Sequence, residues 1–492
     1  MRPTSDTVGA VTVTLRPFSL LAAALLGGVV AVALLSASVS SAPQPQSAPA
    51  TAVRVVWRDV APIQPALRER GVADAAFDTY VAHVSQENAT RVREGDLDHL
   101  VFYLLQSART TTAPPIEPAL SAQRLVESLA PVRRAAFLRG DVRANPPVPH
   151  EVTGRIEALL RAVRAPRGDA RLIYFGALLD AAFADPRQRA ADVAAEYLRA
   201  MRFVYQKEFV AQRDTSPAAA VAELYRHRGL STDTAVEAGY VVQLGLGVIK
   251  GLEPNRRIRR VLIVGPGLDL APRTGLWESA APESYQPWAI LDAVVSLGLG
   301  RLDELDIVAA DINPRVVAHL RRAREHPPLL RVASSLRQSD TLSLSADYVE
   351  YVDRFGGALA EQPVGPARDL GAGQRGKTVS VSAGAARTLR TVALDIVTER
   401  LPADRFDLVV ATNILPYFDD PQLALAVANI AAMLAPGGVF LHNEQRPVLG
   451  DFATALGLPL LQSRHAVIAT VAGAKAPLYD SVFLHVRSNS PR

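Results

Sequence analysis

RRVLIVGPGLDLAP (Arg259–Pro272) is a short apolar run, Val261–Val264, closed by Gly265-Pro266-Gly267. A run of this length bounded by turn residues reads as a buried strand. Glycine at its end lets the backbone approach a neighbour or a ligand closely. The same unit recurs downstream. QPWAILDAVVSLGLG (286–300) reads as a helix, and LDIVAADINPRVVAHLRRA (305–323) as a strand, an acid and another helix. LRTVALDIVTERL (389–401), FDLVVATNILPYF (406–418) and GGVFLHNE (437–444) supply three more strands. HAVIATVAG (465–473) and YDSVFLHVRS (479–488) close the chain as a hairpin. Strands alternating with helices predict a parallel sheet covered on both faces, which the closing hairpin makes mixed.

In open sheets of this kind, ligands bind beyond the carboxyl ends of the strands. Gly265 and Gly267 end the first strand, Asp311 the second, Asp395 the third, and Asn413 follows the fourth. Asp311 is positioned to accept hydrogen bonds from a ribose diol, and Asp395 from an adenine amino group. Asn413 both donates and accepts, which suits a zwitterionic amino-acid tail. Each residue has an ordinary alternative as a turn, a helix cap or a solvated charge. The functional reading rests on all of them falling at one sheet edge.

Residues 53–252 read as an all-α domain. GDLDHLVFYLLQSA (95–108) places Leu97, Leu100, Val101 and Leu104 at helical spacing, and Pro114, Pro115 and Pro118 interrupt it. Asp169, Ser216 and Ser231 or Thr232 are candidate N-caps. The chain has 492 residues, 49% hydrophobic and 21% charged, enough for two globular cores. A net charge of +4 without a Lys/Arg block gives no indication of nucleic acid. With no cysteine and no paired histidines, disulfides and thiolate metal sites are excluded, and a metal site is not expected.

Before the helices stands an uncharged stretch from Phe18 to about Ser36, preceded by Arg2 and Arg16 and followed by APQPQSAPATA (42–52). Its length is near the ~17–25 residues that span a bilayer. Residues 1–41 therefore read as a signal peptide or membrane anchor and 42–52 as a linker, with the body outside the cytoplasm by the positive-inside rule. The location expected is the cell membrane or the exterior, with membrane contact through this segment and the cytoplasmic side as the alternative.

Residues 259–487 resemble class I S-adenosylmethionine-dependent methyltransferases, and within them 281–444 is similar to the chemotaxis-receptor methyltransferase family. APESYQPWAILDAV resembles that family's helix start at Glu283 and Tyr285, and VAADINPRVV its second-strand motif at Asp311. LDIVTERLP matches in part at Asp395-Ile396, and TNILPYFDD matches at Asn413, Leu415, Tyr417 and Phe418. LAPGGVF is the common step into the fifth strand.

The resemblance implies a Rossmann-like seven-stranded mixed sheet over about 259–487, an S-adenosyl-L-methionine cofactor, and an acceptor of unknown identity, small molecule or protein. It implies cofactor contacts at Gly265, Gly267, Glu283, Asp311, Asp395, Ile396, Asn413 and Ile414, with Tyr417 and Phe418 as a wall. Where the class has an acid before the first glycine this chain has Ile263, and Thr412 stands where the family has Arg. The long loop 268–284 separates Gly267 from the next helix, which favours a cofactor without a phosphate to cradle. An insert at about 324–388 reads as a loop and small subdomain over the site.

A carboxylate acceptor needs no base; for a hydroxyl or amine the candidate bases are Tyr417, His442 and Glu444. Two other readings stay open: an inactive methyltransferase-fold binding module in the envelope, and an aminopropyl transferase resembling spermidine synthase. The second wants an acidic site after the fourth strand, where FDDP (418–421) stands.

Overall fold

The structure, a computed structural model, describes residues 51–270, 281–360, 365–366, 370, 372–402, 405–474 and 476–488. The expected signal or anchor and almost all of the linker lie outside the described residues, as does the middle of the 268–284 loop. Among the described residues no helix is long and apolar enough to cross a membrane.

The strands of the main sheet are β1 (Arg260–Val264), β2 (Asp306–Asp311), β3 (Leu342–Leu344), β4 (Leu389–Ala393), β5 (Phe406–Ala411), β6 (Leu434–His442), β7 (Leu460–Val471) and β8 (Leu478–Val486). Their order is β3-β7-β8-β6-β5-β1-β2-β4. The five strands β4, β2, β1, β5 and β6 are parallel. The β8 strand is antiparallel to β6 and to β7, so the closing hairpin lies in the sheet as the sequence predicts.

The sheet has eight strands rather than the expected seven. The extra one, β3, comes from the insert and pairs with the outer end of β7, Ala469 opposite Leu344 and Val471 opposite Leu342. A twelve-residue edge strand would leave a row of unpaired amides and carbonyls, and β3 covers part of it.

Both faces are covered. Val261, Ile263, Ile307, Ala309, Leu408 and Val410 pack under helices α2 (Glu237–Leu252), through Tyr240 and Leu246, and α3 (Gln286–Ser296), through Trp288. The insert joins this face with Tyr348, Tyr351 and Phe355, so its described part packs beside the sheet. On the other face Leu262, Val264, Val308, Val409 and Phe440 meet helices α5 (Asp420–Met433) and α6 (Pro447–Ala455). Burying each such side chain contributes about 1.5–3 kcal/mol.

The helical region is not a separate lobe. Its main element, α1 (Asp74–Gln106), is 33 residues long and serves two cores. Phe77, Val81 and Val84 belong to the second sheet face, whereas Leu97, Leu100, Val101 and Leu104 belong to a helical bundle with Phe175, Tyr197 and Met201. The chain before α1 also joins the sheet domain, with Val53 and Arg54 pairing with Arg400 and Glu399.

Of the predicted caps, Asp169 accepts from the amides of Arg171 and Leu172 (3.0 and 3.1 Å). Ser216 sits at a helix start without a side-chain cap bond, its own amide bound instead to Asp214 (2.9 Å). Ser231 and Thr232 cap nothing and cross the site.

Candidate functional site

The ladder aligns the strand ends. Val264 stands opposite Ala310, Ile263 opposite Val410, and Asp311 opposite Ala393. The chain order reverses between β1 and β5, so the switch point falls between Gly265 and Ile414. A pocket with about 610 Å³ of empty space, its mouth included, opens there. It is lined by Gly265, Gly267, Asp311, Ile312, Asn313, Asp395, Ile396, Ile414, Tyr417 and Phe418 from the sheet edge. Asn88 and Val92 from α1, and Leu230, Ser231 and Thr232, close it from the helical side.

Asp311 is held by a turn of its own making. Oδ1 accepts the amide of Asn313 (2.8 Å), and Oδ2 accepts that of Gly267 (3.3 Å). Asn313 then caps helix α4 (Pro314–Glu325) by accepting from the Arg315 amide (2.9 Å). Burial pushes the Asp311 carboxyl up to about 7, the two amides oppose that rise, and nearby Asp96 adds to it. Asp395 accepts the amide of Val397 (3.0 Å) and the side-chain amide of Asn88 (3.1 Å); burial raises its carboxyl as well. Behind it, Asn429 donates to the carbonyls of Ile396 and Val397 (2.9 and 3.1 Å) and fixes the loop.

The roof is tied down by buried polar groups on α1. Asp96 accepts from Asn313 Nδ2 (3.0 Å) and Arg315 (3.0 Å). Asp98 pairs with Arg199 and Arg228, each at 2.8 Å. Burial lowers His99 to about 4, so it is neutral, and its Nε2 accepts the Thr232 amide (3.2 Å) beside Ser231 Oγ (3.0 Å). The 229–234 strap crosses α1 where both partners are glycine. A Cβ on Gly95 would collide with the Leu230 carbonyl, and one on Gly229 with the Gly95 backbone. The strap then seats on the glycine loop, as the Leu268 amide donates to the Thr232 carbonyl (2.7 Å).

The structure thus gathers Gly265, Gly267, Asp311, Asp395, Ile396, Ile414, Tyr417 and Phe418 in one pocket. It leaves Glu283 and Asn413 out of the lining. Asn413 has φ +62°, and this reversal turns its side chain outward. There its Oδ1 accepts from Asn443 (2.7 Å), and its amide donates to Asn443 Oδ1 (2.9 Å). Glu283 bridges Asp269 through backbone, and one carboxylate oxygen faces His319 at 3.8 Å.

The candidate bases divide in the same way. Burial pushes the Tyr417 phenol, at the pocket wall, up to about 12, which makes it a proton donor rather than a base. His442 and Glu444 do not line the pocket. The His442 ring is buried on the α5–α6 face, stacked with Phe483 and His485 at 5.3 and 5.1 Å, and burial holds it neutral. Glu444 accepts the amides of Gln445 and Arg446 (2.8 and 2.9 Å) and pairs with the Arg446 side chain (3.2 Å).

The acids of FDDP are engaged elsewhere. Asp419 caps α5 through the Gln422 amide (2.8 Å), and Asp420 faces Arg70 and Arg446. No group of three or more potential metal-binding side chains occurs among the described residues.

Asn88, Ser231, Thr232 and Asn313 were not anticipated from the sequence. A signal for the first was present: the buried stripe of α1 runs Phe77, Val81, Val84 and then continues at Asn88, Arg91 and Asp96. Polar residues that keep the period of a buried face mark a buried network.

No family model and no curated protein matches the chain. Solved structures similar to it include TrmN from Thermus thermophilus, at 16% identity over 50% of this chain and 48% of that one, with a TM-score of 0.26. The chain thus spans about half the length of TrmN. The N-methyltransferase NodS from Bradyrhizobium japonicum WM9, in complex with S-adenosyl-L-homocysteine, is 14% identical over 54% of this chain and 96% of that one, TM-score 0.27. The magnesium protoporphyrin IX methyltransferase ChlM from Synechocystis PCC 6803, with bound SAM, is 9% identical over 51% and 82%, TM-score 0.26. The fold assignment rests on the strand order and register of this chain.

Proposed function

We propose that the chain is an S-adenosylmethionine-dependent methyltransferase, with a sheet edge related to that of the chemotaxis-receptor methyltransferases. The observation that carries this reading is that Asp311 and Asp395, two buried acceptors at the ends of neighbouring parallel strands, face one pocket together with the backbone of Gly265 and Gly267 and the side chains of Ile312, Ile396 and Ile414. The residues fit the adenosyl end of the cofactor. The ribose diol donates to Asp311, the adenine amino group to Asp395, and Ile312 and Ile396 offer apolar contact to the ring. The amino-acid tail does not find Asn413 or Glu283 in this lining.

When bound, the cofactor supplies an electrophilic methyl group. The protein's part is to hold the acceptor in line and keep water out, which positioning alone accomplishes. Because the one candidate base at the pocket wall is a phenol held protonated, the acceptor that suits the site best carries its own lone pair without deprotonation, such as a carboxylate. Calorimetry with S-adenosylhomocysteine is expected to show binding in the micromolar range, about −8 kcal/mol. Absence of both heat and a thermal shift at millimolar ligand would leave the binding-module reading in its place.

The location inferred for the body is outside the cytoplasm, on the strength of Arg2, Arg16 and the uncharged 18–36 stretch. A reporter that works only outside the cytoplasm, fused after residue 60, is expected to be active. Activity confined to a cytoplasmic reporter would reverse this orientation and place the site beside the cytoplasmic supply of cofactor.

A further inference from the structure

We propose that Asn88, on the helix that roofs the sheet edge, reads the 6-amino group of the bound purine and makes the site select adenine over its 6-oxo counterpart. This rests on the adenosyl reading above. Asn88 is 1% exposed and lines the pocket. Its Nδ2 donates to Asp395 Oδ2 at 3.1 Å, while its Oδ1 is buried without a hydrogen-bond partner. Because Nδ2 is the atom engaged with Asp395, the oxygen is the atom left over.

A buried carbonyl oxygen without a donor is costly, and a ligand that brings an N–H removes the cost. Asp395 and Asn88 Oδ1 together make a wall of two acceptors. An exocyclic amino group has two N–H bonds and satisfies both. A 6-oxo purine presents a carbonyl oxygen against the same two acceptors and satisfies neither. The apolar flank fits a ring in this position, because Ile312, Leu394 and Ile396 line the same end of the pocket. A second cavity, with about 980 Å³ of empty space, lies beside the first and shares Val92, Ile312, Leu394 and Asp395 with it.

The experiment is calorimetry of the full chain with S-adenosylhomocysteine and S-inosylhomocysteine, comparing the natural protein with Asn88→Ala and the nearly isosteric Asn88→Leu. Thermal melting confirms that each variant is folded. The natural protein is expected to prefer the amino form at least roughly tenfold, and both variants to lose roughly tenfold for the amino form only. The preference between the two ligands should therefore shrink. A merely structural Asn88 would weaken both ligands alike and leave their ratio unchanged, and that result would overturn the proposal, as would variants with no change. If the natural protein binds neither ligand, the adenosyl reading itself fails, an outcome distinct from equal weakening.

Discussion

Asp311→Ala is expected to weaken S-adenosylhomocysteine binding by roughly tenfold to a hundredfold, the range of one hydrogen bond to a charged acceptor. The protein should stay folded. In the free protein the ionised carboxyl is buried at an energetic cost, which is why its titration is pushed up to about 7. The sign of the pH dependence follows. The folded protein holds this proton more tightly than the unfolded chain, so the Asp311 contribution to stability is greatest in acid. It is lost as the pH rises from the ordinary carboxylate range through about 7.

Ligand binding runs the other way, because a ribose hydroxyl donates to the ionised form. Affinity should therefore rise by roughly tenfold from pH 6 to pH 8, with a proton released on binding. Asp311→Ala should lose that dependence. Calorimetry at both pH values measures the affinity and, through buffers of different ionisation enthalpy, the proton. A variant that binds as tightly as the natural protein would remove Asp311 from the site.

Gly267→Ala is expected to be strongly destabilising. Gly267 has φ +65°, and its absent Cβ would collide with the Thr232 carbonyl and the Thr234 hydroxyl. The left-handed conformation costs a residue with a side chain about 1–2 kcal/mol. The clash is with backbone, so the strap itself must move, and overpacking of that kind adds roughly 1–3 kcal/mol. The expected loss is roughly 2–5 kcal/mol in denaturant unfolding, together with loss of ligand binding.

Gly265→Ala is the internal control. It has φ +68°, but the nearest atoms to its Cβ belong to the Ile414 side chain rather than to backbone. Its cost should stay near the conformational roughly 1–2 kcal/mol. Equal losses for the two variants would mean that the strap is not seated on the glycine loop.

The parts of the site legible in the sequence are those that strand ends encode locally. Gly265, Asp311 and Asp395 each follow an apolar run directly and Ile414 follows one within three residues, and a parallel sheet brings such ends to one edge whatever else the chain does. Asn88 lies 307 positions from Asp395, and nothing local to either residue announces the contact. The same holds for Ser231 and Thr232, which the sequence presents as caps and the structure uses as a roof.

Asn413 was misplaced for a different reason. Its positive φ sends the side chain to Asn443, and backbone sign is not encoded in an Asn by pattern alone. The eighth strand, Leu342–Leu344, is three residues long and has no period to detect. It is a strand only because β7 offers it an edge.

The measurement closest to the central claim is a crystal structure of the protein with S-adenosylhomocysteine. The account predicts the nucleoside at the β1–β5 switch point, with ribose hydroxyls on Asp311 and the adenine amino group between Asp395 and Asn88. Density for the ligand elsewhere, or an empty switch-point pocket at saturating ligand, would contradict it.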